Sequence, residues 1–290
     1  MKILMHFRHF PVAMGRWFHW GFEQLGHEVF TVGPYSYGHI PWGDFYYPQY
    51  AFPPNYQLPE VNVSLEDVLK KIPFKPDFIL QAADTLSLEG KLPVPNFLLM
   101  TDPHVVDYSQ RRLNADRVFS MQKHYAKQGD IWVPYAYDPN IHIYKKTEIK
   151  YDVVFCGLQY DHRLTTLETM QEEGINVLNT LGLVYEEYVD AYNRGKIAFN
   201  WSSQQDLPAR FWEGLAMKRM ILTNRVPDLK ELEFVEGEDY VGFSTSDEAV
   251  EKALFYLAHD KEREKIAESG YKKVQPHSYL ERCKRILAQL

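Results

Sequence analysis

Residues 197–224 read IAFNWSSQQDLPARFWEGLAMKRMILTN, and no other stretch says more about how this chain folds. An apolar run at 197–200 predicts a strand that ends in a polar loop, and Pro208 occupies a favourable first-turn position for a helix. That helix carries Arg210 and Glu213 on one face, and a second apolar strand follows at 220–223. A strand, a loop and a helix N-terminus form an anion site, while a carboxylate one turn into the helix can hold a sugar hydroxyl. The arrangement suits a nucleoside diphosphate sugar.

The same alternation of short apolar runs and helices extends through both halves of the chain. Such runs favour parallel strands that are covered on both faces. Strands are predicted at 3–7, 29–32, 78–80, 97–100, 118–120 and 131–133 in the first half, and at 153–156, 177–178, 197–200, 220–223 and 240–243 in the second. The chain therefore reads as an α/β protein of two doubly wound, Rossmann-like domains that bind ligands at the carboxyl ends of their strands.

The boundary between the two domains is predicted in the polar stretch 144–150, which shows no periodicity. This gives domains at 1–148 and 149–290, with a last helix at 279–289 able to pack back on the first domain. Several helices have recognisable ends. One at 14–25 stops at Gly26, and Thr245 and Glu248 form a capping box. Asp260 is predicted to cap the next helix, which Gly270 is expected to end.

Composition excludes several classes of protein. The 290 residues carry a net charge of −7, which argues against a broad electrostatic footprint for nucleic acid or an anionic membrane. Cys156 and Cys283 are far apart and lie in apolar surroundings, so buried free thiols and a reducing compartment are expected. The chain has no apolar run of 18 residues, and its N-terminus lacks an apolar signal core. We expect a cytoplasmic protein without stable membrane insertion.

Residues 34–59 interrupt the pattern with aromatic rings among several prolines. The segment is too rich in proline for a central strand, and it follows the second strand, so it should emerge at the ligand edge of the first sheet. Two interpretations stay open. The segment is either a loop that covers the sheet and packs on its own rings, or an acceptor platform formed by Tyr37, Trp42, Tyr46 and Tyr47.

Residues 197–287 resemble the C-terminal domain of GT-B glycosyltransferases, and most closely the CgeB-like, spore-maturation-type group, a distant relation of family 4 retaining enzymes. The resemblance rests on RFWEGLAM at 210–217, MILT at 220–223, PDLKELEF at 227–234, GEDYV at 237–241 and HSYLER at 277–282. YDVVFCG at 151–157, TDPH at 101–104 and VPYAYDP at 133–139 extend it. It implies two domains facing a cleft, with the acceptor on the first and the nucleotide sugar on the second.

The resemblance assigns donor residues to the second domain. It implies that Glu213 hydrogen-bonds the donor ribose, and that Arg210 and Arg163 neutralise the diphosphate beside Gly157. Arg210 also has a simpler explanation, an ion pair with Glu213 at i, i+3, and Arg163 can be a solvated loop charge. The polar residues that follow strands can hold base and ribose, although each also suits an ordinary turn; they are Asn179, Ser202, Thr223 and Asn224.

Asp102 and His104 follow an apolar strand of the first domain and are the candidate catalytic residues. Either can deprotonate an acceptor hydroxyl in an inverting reaction, and His104 can instead steady the sugar in a retaining one. Their alternative is turn chemistry at Asp102 and a histidine satisfied by its neighbours. No Asp-x-Asp sequence or Cys/His spacing suggests a metal, so we expect a metal-independent reaction that needs no cofactor beyond the nucleotide sugar, with a UDP-sugar as the default.

The leading hypothesis is therefore a glycosyltransferase that moves a sugar from a nucleoside diphosphate sugar to an unknown acceptor hydroxyl. Gln205 stands where family 4 enzymes carry the first of two glutamates, and Lys218 stands where the group usually has glycine. A non-catalytic nucleotide-sugar-binding protein and a sugar-nucleotide epimerase on the same fold stay open as alternatives. The acceptor can be a saccharide, another small molecule or, against the negative net charge, a modified nucleic acid.

Overall fold

The computed structural model of the protein describes residues 1–82, 85–91 and 93–290. Strands are numbered in chain order as β1 Lys2–His6, β2 Glu28–Gly33, β3 Tyr56–Gln57, β4 Val63–Ser64, β5 Phe78–Gln81, β6 Leu88–Glu89, β7 Asn96–Met100, β8 Arg117–Ser120, β9 Ile131–Trp132, β10 Tyr151–Cys156, β11 Val177–Thr180, β12 Gly195–Asn200, β13 Met220–Asn224 and β14 Val241–Phe243. Helices are α1 Met14–Gln24, α2 Leu65–Leu69, α3 Ser109–Arg112, α4 Asp161–Glu172, α5 Tyr185–Asn193, α6 Ala209–Ala216, α7 Ser246–Ala258, α8 Asp260–Val274 and α9 Tyr279–Leu287. Every predicted strand coincides with an observed one to within two residues at either end.

The chain divides into two compact units. Unit 1 comprises residues 1–134 and 279–290, and unit 2 comprises residues 135–278. The predicted boundary stretch 144–150 lies inside unit 2. Helix α9 belongs to unit 1, where it packs on α1. A Cβ at Gly21 of α1 would lie 2.6 Å from the Sγ atom of Cys283 on α9, so glycine permits the close approach of these two helices.

Unit 1 is built on a seven-stranded sheet in the order β3-β2-β1-β5-β7-β8-β9, with parallel pairing throughout its described strands. The central strands β5 and β7 are buried along their whole length, which explains why they read as continuous apolar runs. The proline-rich segment contributes only β3, a two-residue strand at the edge of this sheet. That position agrees with the exclusion of proline from central strands.

Unit 2 is built on a five-stranded parallel sheet in the order β11-β10-β12-β13-β14. The core on one face of this sheet consists of buried apolar side chains from the strands and from helices α4, α7 and α8. Phe155, Leu167, Phe199 and Ile266 belong to it. The strand order reverses between β10 and β12. In an open parallel sheet this is the switch point where ligands bind, just outside the carboxyl ends of the two strands.

Two local predictions were wrong in unit 2. Helix α8 continues past Gly270 to Val274, because Gly270 is used for packing and not for a turn. A Cβ there would lie 2.4 Å from the carbonyl oxygen of Asp239. Asp260 is the first residue of α8 and pairs with Arg263 at 2.6 Å, whereas His259 occupies the N-cap. Thr245 does cap α7, accepting a hydrogen bond from the Glu248 N–H.

Both cysteines are buried free thiols, as predicted. Among the helices of the described residues, none combines the length and the apolar character that crossing a bilayer requires.

Candidate functional site

Polar side chains gather at the carboxyl edge of the sheet of unit 2, around the switch point. Gly157 follows β10, Thr180 ends β11, Asn200 ends β12, and Asn224 ends β13. Register brings these ends level, since Cys156 pairs with Thr180 and Asn200 pairs with Thr223. Helix α6 begins next to this edge, directly after Pro208.

Arg210 reaches across this edge from the first turn of α6. Its Nε donates to the carbonyl oxygen of Cys156 at 3.0 Å, and its Nη1 donates to Oδ1 of Asn200 at 2.6 Å. The guanidinium lies 4.6 Å from the centre of the Phe155 ring. A Cβ at Gly157 would stand 2.3 Å from Nη2 of Arg210, so glycine leaves the space that this side chain occupies. No hydrogen bond from Nη2 is found among the described residues.

Arg163 lies beside Arg210 on the first turn of α4. It is 4% exposed, and its Nε and Nη1 donate to the carbonyl oxygens of Trp201 and Leu158 at 2.5 and 2.8 Å. Burial, together with the nearby charge of Arg210, lowers the pKa of the guanidinium to about 10. Arg163 is thus no solvated loop charge. It is buried, Arg210 is half-buried, and both guanidinium groups face the Phe155 ring, so an anion would stabilise both.

Glu213 lies one turn further along α6 and has partners of its own. Its Oε2 accepts from the Tyr188 hydroxyl at 2.6 Å, and its Oε1 lies 3.4 Å from Nε2 of His142. Nδ1 of His142 accepts from the Asp138 N–H at 3.0 Å, which assigns the ring proton to Nε2. Glu213 is therefore not an exposed helix glutamate. It also does not form the ion pair with Arg210 that the sequence offered as a simpler explanation of that arginine. Burial and the adjacent carboxylate raise the pKa of Tyr188.

The predicted binding residues at the ends of β12 and β13 form one buried network. Asn200 donates through Nδ2 to Thr223 at 2.9 Å. Asn224 accepts from the Ser202 N–H at 2.8 Å and donates to its Oγ at 2.9 Å. These bonds fix the loop that leads from β12 to α6, so the side chains hold the positions of Arg163 and Arg210 through the backbone. In this geometry Ser202, Thr223 and Asn224 stabilise the loop after β12, which is the turn-residue alternative that the sequence left open.

Gln159 joins the site although the sequence did not single it out. Its Nε2 donates to Oδ1 of Asn179 at 2.8 Å and to the carbonyl oxygen of Gly157 at 3.2 Å. These acceptors assign the amide orientation. The Oε1 atom is buried and has no hydrogen-bond partner in the described part of the chain. Together with Asn179, it offers an acceptor at the carboxyl ends of β10 and β11.

Tyr188 and His142 were also missed, because a tyrosine among many and a histidine before the second domain carry no local signal. Only the fold brings them to Glu213. Pro208, by contrast, was a usable signal, since it marks the start of α6 and hence the depth at which Arg210 and Glu213 enter the site.

The predicted catalytic residues lie in unit 1, directly after β7. The carbonyl oxygen of Asp102 accepts from the N–H groups of Val105 and Val106 at 3.1 and 2.9 Å, so a turn forms there as the sequence allowed. His104 follows in the same turn, with its ring 5.8 Å from that of Tyr125. Both residues stand at the carboxyl edge of the first sheet.

The aromatic segment of unit 1 shows features of both interpretations. Some rings pack on neighbours within the unit, as Tyr46 stacks on His39 at 4.5 Å and Trp42 meets Phe10 edge-on at 5.6 Å. The outer faces remain accessible, with Tyr37 58%, Tyr46 56% and Trp42 36% exposed, while Tyr47 is half-buried. Tyr37 also adopts a φ of 56°, which is uncommon for a residue with a side chain.

Within residues 1–82, 85–91 and 93–290, no three His, Cys, Asp or Glu side chains come together as a metal site would require.

Comparison with known proteins identifies a matching family and several solved structures with a similar fold. A family described as glycosyl transferase-like matches residues 143–288, about half of the chain. No curated protein sequence matches significantly. Among solved structures, sucrose-phosphate synthase from Thermosynechococcus elongatus is 11% identical with a TM-score of 0.65, covering 100% of this chain and 98% of that one. HepE from Anabaena in complex with UDP is also 11% identical, with a TM-score of 0.63 and full coverage of both chains.

A third similar structure is an alpha-glucosyltransferase in complex with UDP and a 13-mer DNA containing a HMU base. It is 10% identical, with a TM-score of 0.61 and coverage of 100% of this chain and 98% of that one. At identities this low, the structural similarity shows a shared fold, and it confirms the predicted Rossmann-like α/β architecture. The protein shares the fold of the three structures named above, and by the family that matches residues 143–288 it belongs to the glycosyl transferase-like family and is a glycosyltransferase.

Proposed function

We propose that the protein transfers a sugar from a nucleoside diphosphate sugar, bound at the carboxyl edge of the sheet of unit 2, to an acceptor hydroxyl. One observation supports this most strongly. Arg163 is buried and Arg210 is half-buried, both face the Phe155 ring, and their hydrogen bonds go to neutral oxygens. A diphosphate would supply the negative charge that this pair lacks, and guanidinium groups suit phosphate oxygens geometrically.

Glu213 is proposed to hold the donor ribose. Its carboxylate already accepts from the Tyr188 hydroxyl and lies 3.4 Å from Nε2 of His142, but two carboxylate oxygens offer about four acceptor positions. These two contacts fix the orientation of the group, so that the remaining positions are available to ribose hydroxyls without rearrangement. Because Arg210 and Glu213 lie on the same helix one turn apart, α6 would position diphosphate and ribose together.

Gln159 and Asn179 are proposed to meet the nucleobase. The unpartnered Oε1 of Gln159 requires a donor, and the N3–H of uracil supplies one. A UDP-sugar is the proposed donor. UDP is also present in the structures of HepE and of the alpha-glucosyltransferase named above.

The reaction breaks the bond between the anomeric carbon and the diphosphate oxygen and forms a bond from that carbon to the acceptor oxygen. Arg163, Arg210 and the N-terminus of α6 would stabilise the charge that develops on the leaving diphosphate, without a metal ion. In an inverting reaction Asp102 or His104 would take the acceptor proton. The finer likeness to the CgeB-like group and to family 4 favours retention, in which His104 would steady the sugar.

The acceptor is proposed to bind on unit 1, against the exposed rings of Tyr37, Trp42 and Tyr46 with Tyr47 beside them. Aromatic faces stack on sugar rings and on bases. A saccharide or other small molecule is the proposed acceptor class, because the net charge of −7 disfavours a nucleic acid.

The test is calorimetric titration of UDP-, GDP-, dTDP- and ADP-sugars into the full chain, with Glu213→Gln alongside. We expect one nucleotide to bind, and Glu213→Gln to weaken it roughly tenfold through the lost ribose contact. Glu251→Gln makes the same charge change on an exposed position of α7 and should bind as the wild type does. Failure of every nucleotide sugar to bind to the folded protein would refute the donor site, and binding without transfer to any acceptor would favour the non-catalytic alternative.

A further inference from the structure

A cavity of about 570 Å³ lies at the amino edge of the sheet of unit 2. Its walls come from the segment 144–149, the start of β12, the turn between α6 and β13, and the first half of α8. Lys196 lines it near the beginning of β12, whereas Asn200 ends that strand beside Arg210. The length of the strand thus separates the cavity from the carboxyl edge. In the described part of the chain, none of the predicted donor residues lines it.

The charge of the cavity is opposite to that of the protein. The chain has a net charge of −7, yet cations outnumber carboxylates two to one in the lining. The cations are Lys145, Lys146, Lys196, Lys218, Arg219 and Arg263, and the carboxylates are Asp260, Glu264 and Glu268. A concave surface with an excess of positive charge concentrates anionic ligands.

Ion pairs balance three of these six cations. Asp260 pairs with Arg263 at 2.6 Å, Glu268 pairs with Lys218 at 2.5 Å, and Asp152, which is outside the lining, pairs with Lys196 at 2.7 Å. Lys145 and Lys146 are exposed at the mouth, and no ion pair or hydrogen bond of their ammonium groups is found within the described residues. These two lysines are therefore available to a ligand.

Arg219 lies half-buried in the same wall. It donates to the carbonyl oxygens of Met217 and Gly195 at 3.0 and 2.8 Å, and its guanidinium lies 5.4 Å from the centre of the Tyr144 ring. Burial lowers its pKa, and the charge of Arg263 lowers it further, although Tyr144 offsets part of the effect. A bound anion would relieve both the desolvation and the repulsion.

Lys218 enters the wall from a strained backbone. It has a φ of 56° and directly follows α6, where its N–H bonds to the Leu215 carbonyl and the next N–H bonds to that of Gly214. This is a Schellman ending, whose left-handed position favours glycine. The lysine found there holds its ammonium 5.2 Å from the Tyr144 ring centre. Strain of this kind is a pointer to function.

We propose that this cavity binds a small ligand with two or more negative charges, of the sugar phosphate or diphosphate class, at a site separate from the donor site. The volume lies within the range of small-molecule sites, and the charged lining selects an anion over an apolar compound. Lysine and arginine side chains supply the donors that phosphate groups accept. The proposal rests on unit 2 alone and does not depend on the identity of the nucleotide sugar.

The test is calorimetric titration of pyrophosphate and of fructose 1,6-bisphosphate into the full chain. Lys145→Gln/Lys146→Gln removes the two unpaired cations, and Lys218→Gly removes a third while placing glycine where the backbone favours it. The matched control is Lys230→Gln/Lys265→Gln, with the same charge change at two exposed positions of unit 2 outside the cavity. Arg210→Gln is included because pyrophosphate can also enter the carboxyl edge.

We expect at least one probe to bind the wild type, with affinity roughly tenfold lower in both cavity variants and unchanged in the matched control. Binding should also weaken as salt is added. Thermal melting checks that each variant is folded. Failure of both probes to bind to the wild type, equal loss in the matched control, or loss only in Arg210→Gln would each overturn the proposal. None of these results depends on whether a nucleotide sugar binds.

Discussion

Two arginines at the carboxyl edge of the same sheet have opposite surroundings. Arg225, directly after β13, makes paired hydrogen bonds to Glu236 at 2.6 and 2.9 Å and to Glu248 at 3.0 Å for both contacts. These carboxylates raise its pKa. Arg163 is bonded to carbonyl oxygens only, and burial lowers its pKa to about 10. One cation has its charge balanced within the protein, and the other does not.

The difference separates a structural cation from one that is available to a ligand. The Arg225 cluster is partly exposed, and its charges are paired with one another, since Lys252 also pairs with Glu248 at 2.8 Å. A phosphate would therefore have to displace carboxylates there. The protein buries Arg163 fully and Arg210 partly, and it supplies both with neutral hydrogen-bond acceptors and no carboxylate partner. The cost of that desolvation is recovered when an anionic ligand binds.

The largest expected effect is on activity, and it tests the comparison directly. Arg210→Gln removes one of the two cations that would stabilise the leaving diphosphate, so kcat/KM should fall about 100-fold or more. Arg225→Gln removes the same charge at the same edge, yet it should leave kcat/KM within about twofold and reduce the free energy of unfolding by about 1 kcal/mol or less. Steady-state kinetics with the identified donor measures the first effect, and urea unfolding measures the second. Equal kinetic losses in both variants would remove the distinction between the two arginines.

The sequence predicted the elements of this edge but not its charge balance. Alternation of apolar runs identified the strands, and Pro208 marked the start of α6. Arg210 and Arg225 nevertheless look alike in the sequence, because their partners come from residues at a distance: Asn200 and Cys156 for the first, Glu236 and Glu248 for the second. Tertiary contacts alone decide which cation is balanced.

Gly270 illustrates the same limit for the fold. Glycine is a common helix terminator, so the sequence predicted an end there. The helix continues because close packing against the Asp239 backbone requires the missing side chain. The tendency of glycine to end a helix is a local property, and here packing against a residue distant in sequence overrides it.

Two glycines sharpen the contrast between function and packing. In Gly270→Ala the new Cβ would meet backbone at 2.4 Å, so the free energy of unfolding should fall by about 1–3 kcal/mol while the folded fraction keeps its donor affinity. In Gly157→Ala the Cβ would meet the end of Arg210 at 2.3 Å. That flexible end can move, so stability should change little, but donor affinity should fall roughly tenfold. Chemical unfolding and calorimetry distinguish the two. A Gly157→Ala protein that binds donor normally would contradict the proposed role of Arg210.

A smaller effect is expected at the partner of Glu213. Tyr188→Phe removes the hydroxyl that donates to Oε2, which should reduce stability by about 1 kcal/mol and donor affinity severalfold. The combination Tyr188→Phe with Glu213→Gln should bind donor no more weakly than Glu213→Gln alone, because the tyrosine acts through the carboxylate. Additive losses in this double-mutant cycle would show that Tyr188 has a separate role.

The smallest effect is expected at Glu248, in the Arg225 cluster. Hydrogen bonds from Arg225 and Lys252 lower the pKa of Glu248 to about 2 in the folded protein, against about 4.3 for an unperturbed glutamate. Its stabilisation is therefore present above the unfolded pKa and is lost as pH falls towards 2. Since Glu248 is partly exposed, the difference in unfolding free energy between wild type and Glu248→Gln should be about 1 kcal/mol or less at pH 6. It should shrink below about pH 4; a difference that grows with acidification would contradict this assignment.

Arg163 and Arg210 are proposed to form the diphosphate site, and a crystal structure of the protein with UDP would test this assignment. We expect diphosphate oxygens within about 3 Å of Nη2 of Arg210, with the ribose on Glu213 and the base beside Gln159. UDP bound elsewhere in unit 2, with Arg210 still bonded only to Cys156 and Asn200, would contradict it.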